Sequence, residues 1–188
     1  MNEMAPRGAE AFLRRYEGLR DSLPGDRAVR AAAAELLRRH GLPGVRDEAF
    51  KYTNLRAVAD TAWQEPLVPV SGFGEAETAL PGAAMVFQDG RFQAELSRLP
   101  LAFSARLLRD APELAPAGEQ DALGALNLLL AEDGAVLDLP EGVDGGTILL
   151  ESRGSSPGRP ASFHPRHRVR LRAGASLTLV DVNRGEGG

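Results

Sequence analysis

Cysteine is absent from the 188 residues. That removes disulfides, thiolate metal ligands and a cysteine nucleophile, and it is compatible with a reducing compartment. Lysine is almost absent: Lys51 stands alone among 22 Lys and Arg residues. Aromatic side chains make up only 5% of the chain, with Trp63 the single tryptophan. Base-stacking surfaces, which depend on aromatics, are therefore scarce. No apolar run is long enough to cross a bilayer, and the amino end, Met1-Asn2-Glu3-Met4-Ala5-Pro6-Arg7-Gly8, lacks the apolar centre of a signal peptide. A soluble, cytoplasmic chain is the expectation. A formal net charge of −4 gives no general attraction to nucleic acid or anionic lipid.

What is present is ordinary for a folded protein: 43% hydrophobic and 26% charged residues. Apolar positions at Phe12, Leu13, Tyr16, Leu19 and Leu23 predict a helix from Glu10 to about Ser22, ended by Pro24-Gly25. Asp26 is placed to cap a second helix running to His40 through Ala28, Val29, Ala32, Ala33, Leu36 and Leu37. Gly41 and Pro43 stop it. A short helix capped by Thr53 is expected over 55–59, and a loop over 65–81 with Trp63 as a packing anchor beneath it. Met85-Val86-Phe87-Gln88-Asp89-Gly90-Arg91-Phe92-Gln93 predicts a hairpin, because Asp-Gly suits a two-residue turn with positive φ. Leu101–Phe103 reads as a strand, Ser104–Asp110 as a short helix, Pro112 and Pro116 as a linker, and Gln120–Ala131 as a helix.

Beyond Asp133 the period changes from 3.6 to 2. Strands are predicted at 134–139, 147–150, 168–171 and 174–180, the first and last sharing a Gly-Ala-x-Leu-x-Leu pattern. Short strands entered through Gly read as rungs of a parallel β-solenoid, and an antiparallel sandwich edge reads almost the same. The fold class expected is α+β. It comprises an N-terminal helical domain (1–60), a small α/β connecting segment with the hairpin at 85–93 (61–132), and the first rungs of a right-handed parallel β-helix, truncated (133–188).

Four motifs occur in order. Arg46-x-Glu48-x-Phe50-Lys51-Tyr52-Thr53-x-Leu55 resembles the Arg-x-Glu-x-Trp-Lys-Tyr-Thr-x-Leu signature of SufB/SufD-type iron–sulfur cluster assembly proteins, with Phe50 in place of Trp. Val86-Phe87-x-Asp89-Gly90-Arg91-Phe92, followed by Leu96-Ser97, resembles a SufD-like segment. Asn127, Asp133-Gly134 and Pro140-x-Gly142 are similar to the family's entry into its β-helix. His164-Pro165-Arg166 followed by Gly174-Ala175 and Asp181 resembles one of its rungs. The resemblance covers most of the chain and implies the amino-terminal part of a SufD-like scaffold. Such a protein has no known chemistry of its own and holds no cofactor in this segment. It joins a SufB-like paralogue and a SufC-like ABC ATPase, and the complex builds the cluster as its product. Family members continue through further rungs and a terminal helical domain, so the resemblance also implies a truncated chain that self-associates through its exposed β-helix end.

No catalytic constellation emerges from the residues. His164 and His167 are separated by Pro165 and Arg166 with Arg168 following, which reads as a loop-to-strand corner rather than a metal site. Glu48 is expected to pair with Arg46 or to cap a backbone donor, and Lys51 to be a solvated amine. Arg168, Arg170 and Arg172 alternate with Val169 and Leu171, so the arginines are expected on a solvated strand face, or against an acidic partner, with the aliphatics on a core face. Two other classes remain open: a β-solenoid enzyme acting on carbohydrate or acyl groups, and an arginine-rich interaction or RNA-contacting module.

Overall fold

The computed structural model describes residues 8–45, 47–66, 82–110, 114, 118, 121–154 and 159–185. Most of the expected loop (67–81), the prolines of the linker, and Arg46 lie outside the described residues. Among the described residues the chain is mixed α+β, with four α-helices and two small mixed sheets. It divides into two compact units, 1–64 with 113–131 and 65–112 with 132–188.

The first unit is helical: α1 (Glu10–Leu19), α2 (Arg27–His40), α3 (Arg56–Asp60) and α4 (Ala122–Leu130). α1 buries Phe12 and Tyr16 from its apolar stripe. Asp26 caps α2 as expected, its Oδ1 accepting from the Ala28 N–H at 2.7 Å. Gly41 ends that helix at φ +66° and donates to the Leu37 carbonyl. The small buried face of α2, Ala33 and Ala34, lets α4 approach closely. α4 is apolar on nearly every side, so it lies in the centre of this core with Leu126, Leu128, Leu129 and Leu130 buried. Asp121 caps it by accepting from Gly124 N–H at 2.7 Å. Trp63 packs against this core, its Nε1 donating to the Val58 carbonyl at 2.7 Å, in keeping with an anchoring role. One cap differs from expectation. Asn54, not Thr53, receives the Arg56 N–H at 2.9 Å, because an Asn side chain two residues ahead closes an Asx turn.

Among the described residues the second unit holds seven strands: β1 (Ala83–Gln88), β2 (Arg91–Phe92), β3 (Ser104–Leu107), β4 (Ala135–Leu139), β5 (Asp144–Gly154), β6 (Arg168–Leu171) and β7 (Ser176–Gly185). β1 and β2 form the predicted hairpin, with Asp89 at φ +49° and Gly90 at φ +81°. The segment after it departs from expectation. Residues 101–103 are not a strand, Ser104–Leu107 is β3 rather than helix, and a single 3₁₀ turn follows at Leu108–Asp110. Seven residues are too few to hold a helix by propensity alone, while antiparallel pairing of the first four with β4, Ser104 opposite Asp138 and Leu107 opposite Ala135, satisfies their backbone.

The sheets run β2-β1-β5-β7 and β3-β4-β6. β1 pairs with β5, β5 with β7 and β4 with β6, all in parallel. Consecutive strands β4 to β7 thus alternate between the two sheets. β4 pairs with β6 and β5 with β7, and residues 31 or 32 apart come together, the offset changing by one at an irregularity between Asp144 and Thr147; Ser176 Oγ donates to Asp144 Oδ1 (2.9 Å) and Ala135 N to His167 Nδ1 (3.0 Å). Met85, Phe87, Phe103, Ala135, Leu137, Leu139, Ile148 and Leu150 form the core of this unit.

Candidate functional site

The four motifs separate into two places. The Glu48–Thr53 stretch belongs to the helical unit, as does Asn127 on α4, and the remaining residues of the other three motifs belong to the sheet unit. Glu48–Phe50 is a 3₁₀ turn, with Phe50 half-buried and the Thr53 N–H donating to the Phe50 carbonyl at 2.8 Å. Glu48 pairs with Lys51 at 2.6 Å, and Arg46, its expected partner, lies outside the described residues. The Lys51 ammonium also lies 5.1 Å from the centre of the Tyr52 ring, and that ring is 92% exposed. An exposed aromatic carrying a cation offers a surface for contact and no catalytic geometry.

In the sheet unit, the Asp89-Gly90 turn lies against the His164-Pro165-Arg166 segment. A side-chain carbon on Gly90 would sit 2.9 Å from Phe163 Cβ, so only glycine fits. Asp133-Gly134 receives the same segment from the other side. The Arg166 N–H donates to the Asp133 carbonyl at 3.0 Å, and a Cβ on Gly134, at φ +156°, would meet the Arg166 carbonyl oxygen at 1.9 Å. Asp133 is buried and accepts from the Phe92 N–H (3.1 Å) and Gly134 N–H (2.9 Å), with Arg109 3.5 Å away. Burial pushes its carboxyl above the usual range, and those N–H donors and Arg109 pull the other way. Asp133 thereby ties the hairpin to the start of β4.

His164 reaches Ser162 Oγ at 3.3 Å through Nε2. His167 turns inward, its ring 5.0 Å from Phe87 in an edge-on contact, and its Nδ1 accepts from Ala135 N–H. That bond places the ring proton on Nε2 and engages the Nδ1 lone pair, which must give up the Ala135 N–H before it can take up a proton. Burial lowers its pKa, opposed by the Asp181 carboxylate. The two histidines lie in the irregular stretch that leads into β6, the loop-to-strand corner that Pro165 predicts. Among the described residues no three His, Asp or Glu side chains converge on one point. A cavity of about 270 Å³ is lined by Met85, Phe92, Leu99, Ala105, Arg106, Leu107 and Asp110 and carries one charge of each sign on an apolar wall.

Two buried charge centres escape sequence reasoning. Arg30 stands on the apolar stripe of α2 and donates to the carbonyls of Leu128, Leu129 and Ala131 at the end of α4 and to that of Pro24. Its position in step with Ala33, Ala34 and Leu37 is the signal that marks it. Glu151 is fully buried and held by Arg153 (Nε, 3.0 Å) and Arg184 (Nε, 3.0 Å). Here the signal is Glu151 and Arg153 two apart on one strand, which places both on one face.

Arg168 and Arg170 fall on β6, the last strand of its sheet among the described residues, and Arg172 directly follows it. Asp138 of β4 lies 3.7 Å from both Arg170 and Arg172. The other face is not core: Val169 is 40% and Leu171 47% exposed. They share a face with Leu137 and Leu139 but lie beyond the last covered layer. No helix among the described residues is long and apolar enough to cross a membrane. No protein-family model matches the chain, and no curated protein matches it to a significant degree.

Proposed function

We propose that the chain is a scaffold component of an iron–sulfur cluster assembly complex of the SufBCD type, with β4 to β7 forming the first coil and a half of a right-handed parallel β-helix. The observation that carries this reading is the parallel pairing, in two sheets at once, of residues 32 apart between β4 and β6 and mostly 31 apart between β5 and β7, which is how stacked coils pair. The meeting of the Asp89-Gly90, Asp133-Gly134 and His164-Pro165-Arg166 motifs at one corner supports it, since residues far apart in sequence then have a shared packing reason for their identity.

In this reading the segment is architectural. Thiolates are the usual cluster ligands and the chain has none, so the cluster is product of the complex and its ligands come from partners. The tagged protein in its own cells is expected to co-purify with a SufB-like paralogue and a SufC-like ATPase. Recovery of neither, or turnover of a glycan or acyl substrate by the chain, contradicts the proposal. The purified chain alone is expected to retain no iron after anaerobic reconstitution and desalting, and a stable iron–sulfur chromophore on it would contradict the architectural role.

A further inference from the structure

We propose that the cavity between β1, β2 and β3 is a docking site for a partner polypeptide that inserts one bulky apolar side chain, carried between an acidic and a basic residue. The cavity measures about 270 Å³, with Met85 on β1, Phe92 on β2, and Ala105 and Leu107 on β3 as its apolar walls. β1 and β2 stand at the end of their sheet away from β7, and β3 at the end of its sheet away from β6. Coils stacked on β6 and β7 would leave this end of the unit unchanged.

Size and lining set the chemistry of the occupant. An apolar cavity of about 150 Å³ already admits benzene. The volume here therefore suits one side chain the size of Phe and no larger element. Met85 supplies a wall that adapts to the shape of its guest. Leu99 lines the cavity and is half exposed, and Leu101, two residues on, is fully exposed. Apolar surface thus runs from the cavity onto the Leu99-Pro100-Leu101 loop, further than a free small molecule would cover. A polypeptide backbone flanking the inserted side chain would cover it. The charges set the flanks. Arg106 and Asp110 line the same cavity and are exposed, and among the described residues neither side chain forms an ion pair or a hydrogen bond. An acidic residue on one side of the anchor would meet Arg106, and a basic residue on the other would meet Asp110. An anionic lipid surface would suit Arg106 and be repelled by Asp110. This inference stands on the sheet unit alone and does not depend on the assembly assignment.

The test is titration of the 188-residue chain, labelled at its methionine methyl groups, with two end-blocked peptides, Glu-Gly-Phe-Gly-Lys and Lys-Gly-Phe-Gly-Glu. Of the three methionines Met85 alone lines the cavity, and Met85→Leu assigns its NMR signal. A saturable shift of that signal by one of the two peptides is expected. Ala in place of the peptide's Phe is expected to weaken binding about thirtyfold. Arg106→Glu, an exposed substitution, is expected to weaken it about fivefold. That sensitivity is expected to vanish when Gln replaces the peptide's Glu, which separates lost docking from lost folding. The proposal is overturned if neither peptide moves the Met85 signal, or if the Ala peptide binds as well as its parent. It is also overturned if indole fills the cavity while the peptides do not, or if the signal shifts with protein concentration alone, which would seat a second copy there.

Discussion

Arg30 shows how one side chain can hold a helical unit together. Its guanidinium satisfies carbonyls at the end of α4 that have no intrahelical partner. Arg30→Met leaves those oxygens buried and unpaired, and chemical denaturation is expected to show a loss of about 3 kcal/mol or more. Arg30→Lys restores little, since one ammonium cannot span a fork of acceptors. Gly134 is the corresponding point in the sheet unit. Gly134→Ala drives a methyl carbon into the Arg166 carbonyl and is expected to cost about 3 kcal/mol or more by the same measurement. His167 sets a pH dependence. Its folded pKa lies below the ordinary 6.5, so the unfolded chain takes up the proton first. The stability that depends on neutral His167 is present above about pH 6.5 and is lost as pH falls through the folded value. His167→Asn keeps an acceptor for Ala135 N–H without titrating, and its stability is expected to vary less between pH 6.5 and 5. An unchanged slope would assign the effect elsewhere.

Among the elements, legibility followed how locally each is determined. α2 was readable at both ends because Asp26 and Gly41 fix them through their own side chain and backbone. The hairpin was readable because Asp89 and Gly90 both take positive φ. β6 was placed to the residue by its strict alternation. β3 was not legible: Ser104-Ala105-Arg106-Leu107 has no marked preference, and β4, some thirty residues on, decides it. The inner face of β6 was read as core because alternation specifies which residues share a face and not whether another layer covers it. The Glu48–Thr53 motif was visible as a pattern, yet its geometry, a solvated Lys51–Glu48 pair beside an exposed Tyr52, is set by a turn that periodicity does not describe. Lys51→Ala is expected to change stability by less than about 0.5 kcal/mol, since exposed ion pairs contribute little. A larger loss in thermal unfolding would mean that the segment is bound into the helical core.

At the scale of the whole molecule, two units divide the work. The helical unit closes on α4, and the sheet unit repeats one strand pair upon another. The corner where Gly90, Gly134 and Arg166 meet was only partly foreseeable, because three separate motifs in sequence carry no distance information until the strands are paired. The scaffold reading depends on that pairing being parallel, with residues 31 or 32 apart adjacent in space. The absence of cysteine makes the pairing directly measurable. Introduced as pairs, Thr147→Cys with Thr178→Cys and Ser152→Cys with Asn183→Cys occupy facing positions of β5 and β7. Both pairs are expected to oxidise to disulfides in the folded monomer, at the spacing of neighbouring strands. The crossed pairs, Thr147→Cys with Asn183→Cys and Ser152→Cys with Thr178→Cys, are expected to stay reduced. Disulfides in the crossed pairs and not in the facing ones would mean that β5 and β7 run antiparallel, and would contradict the account.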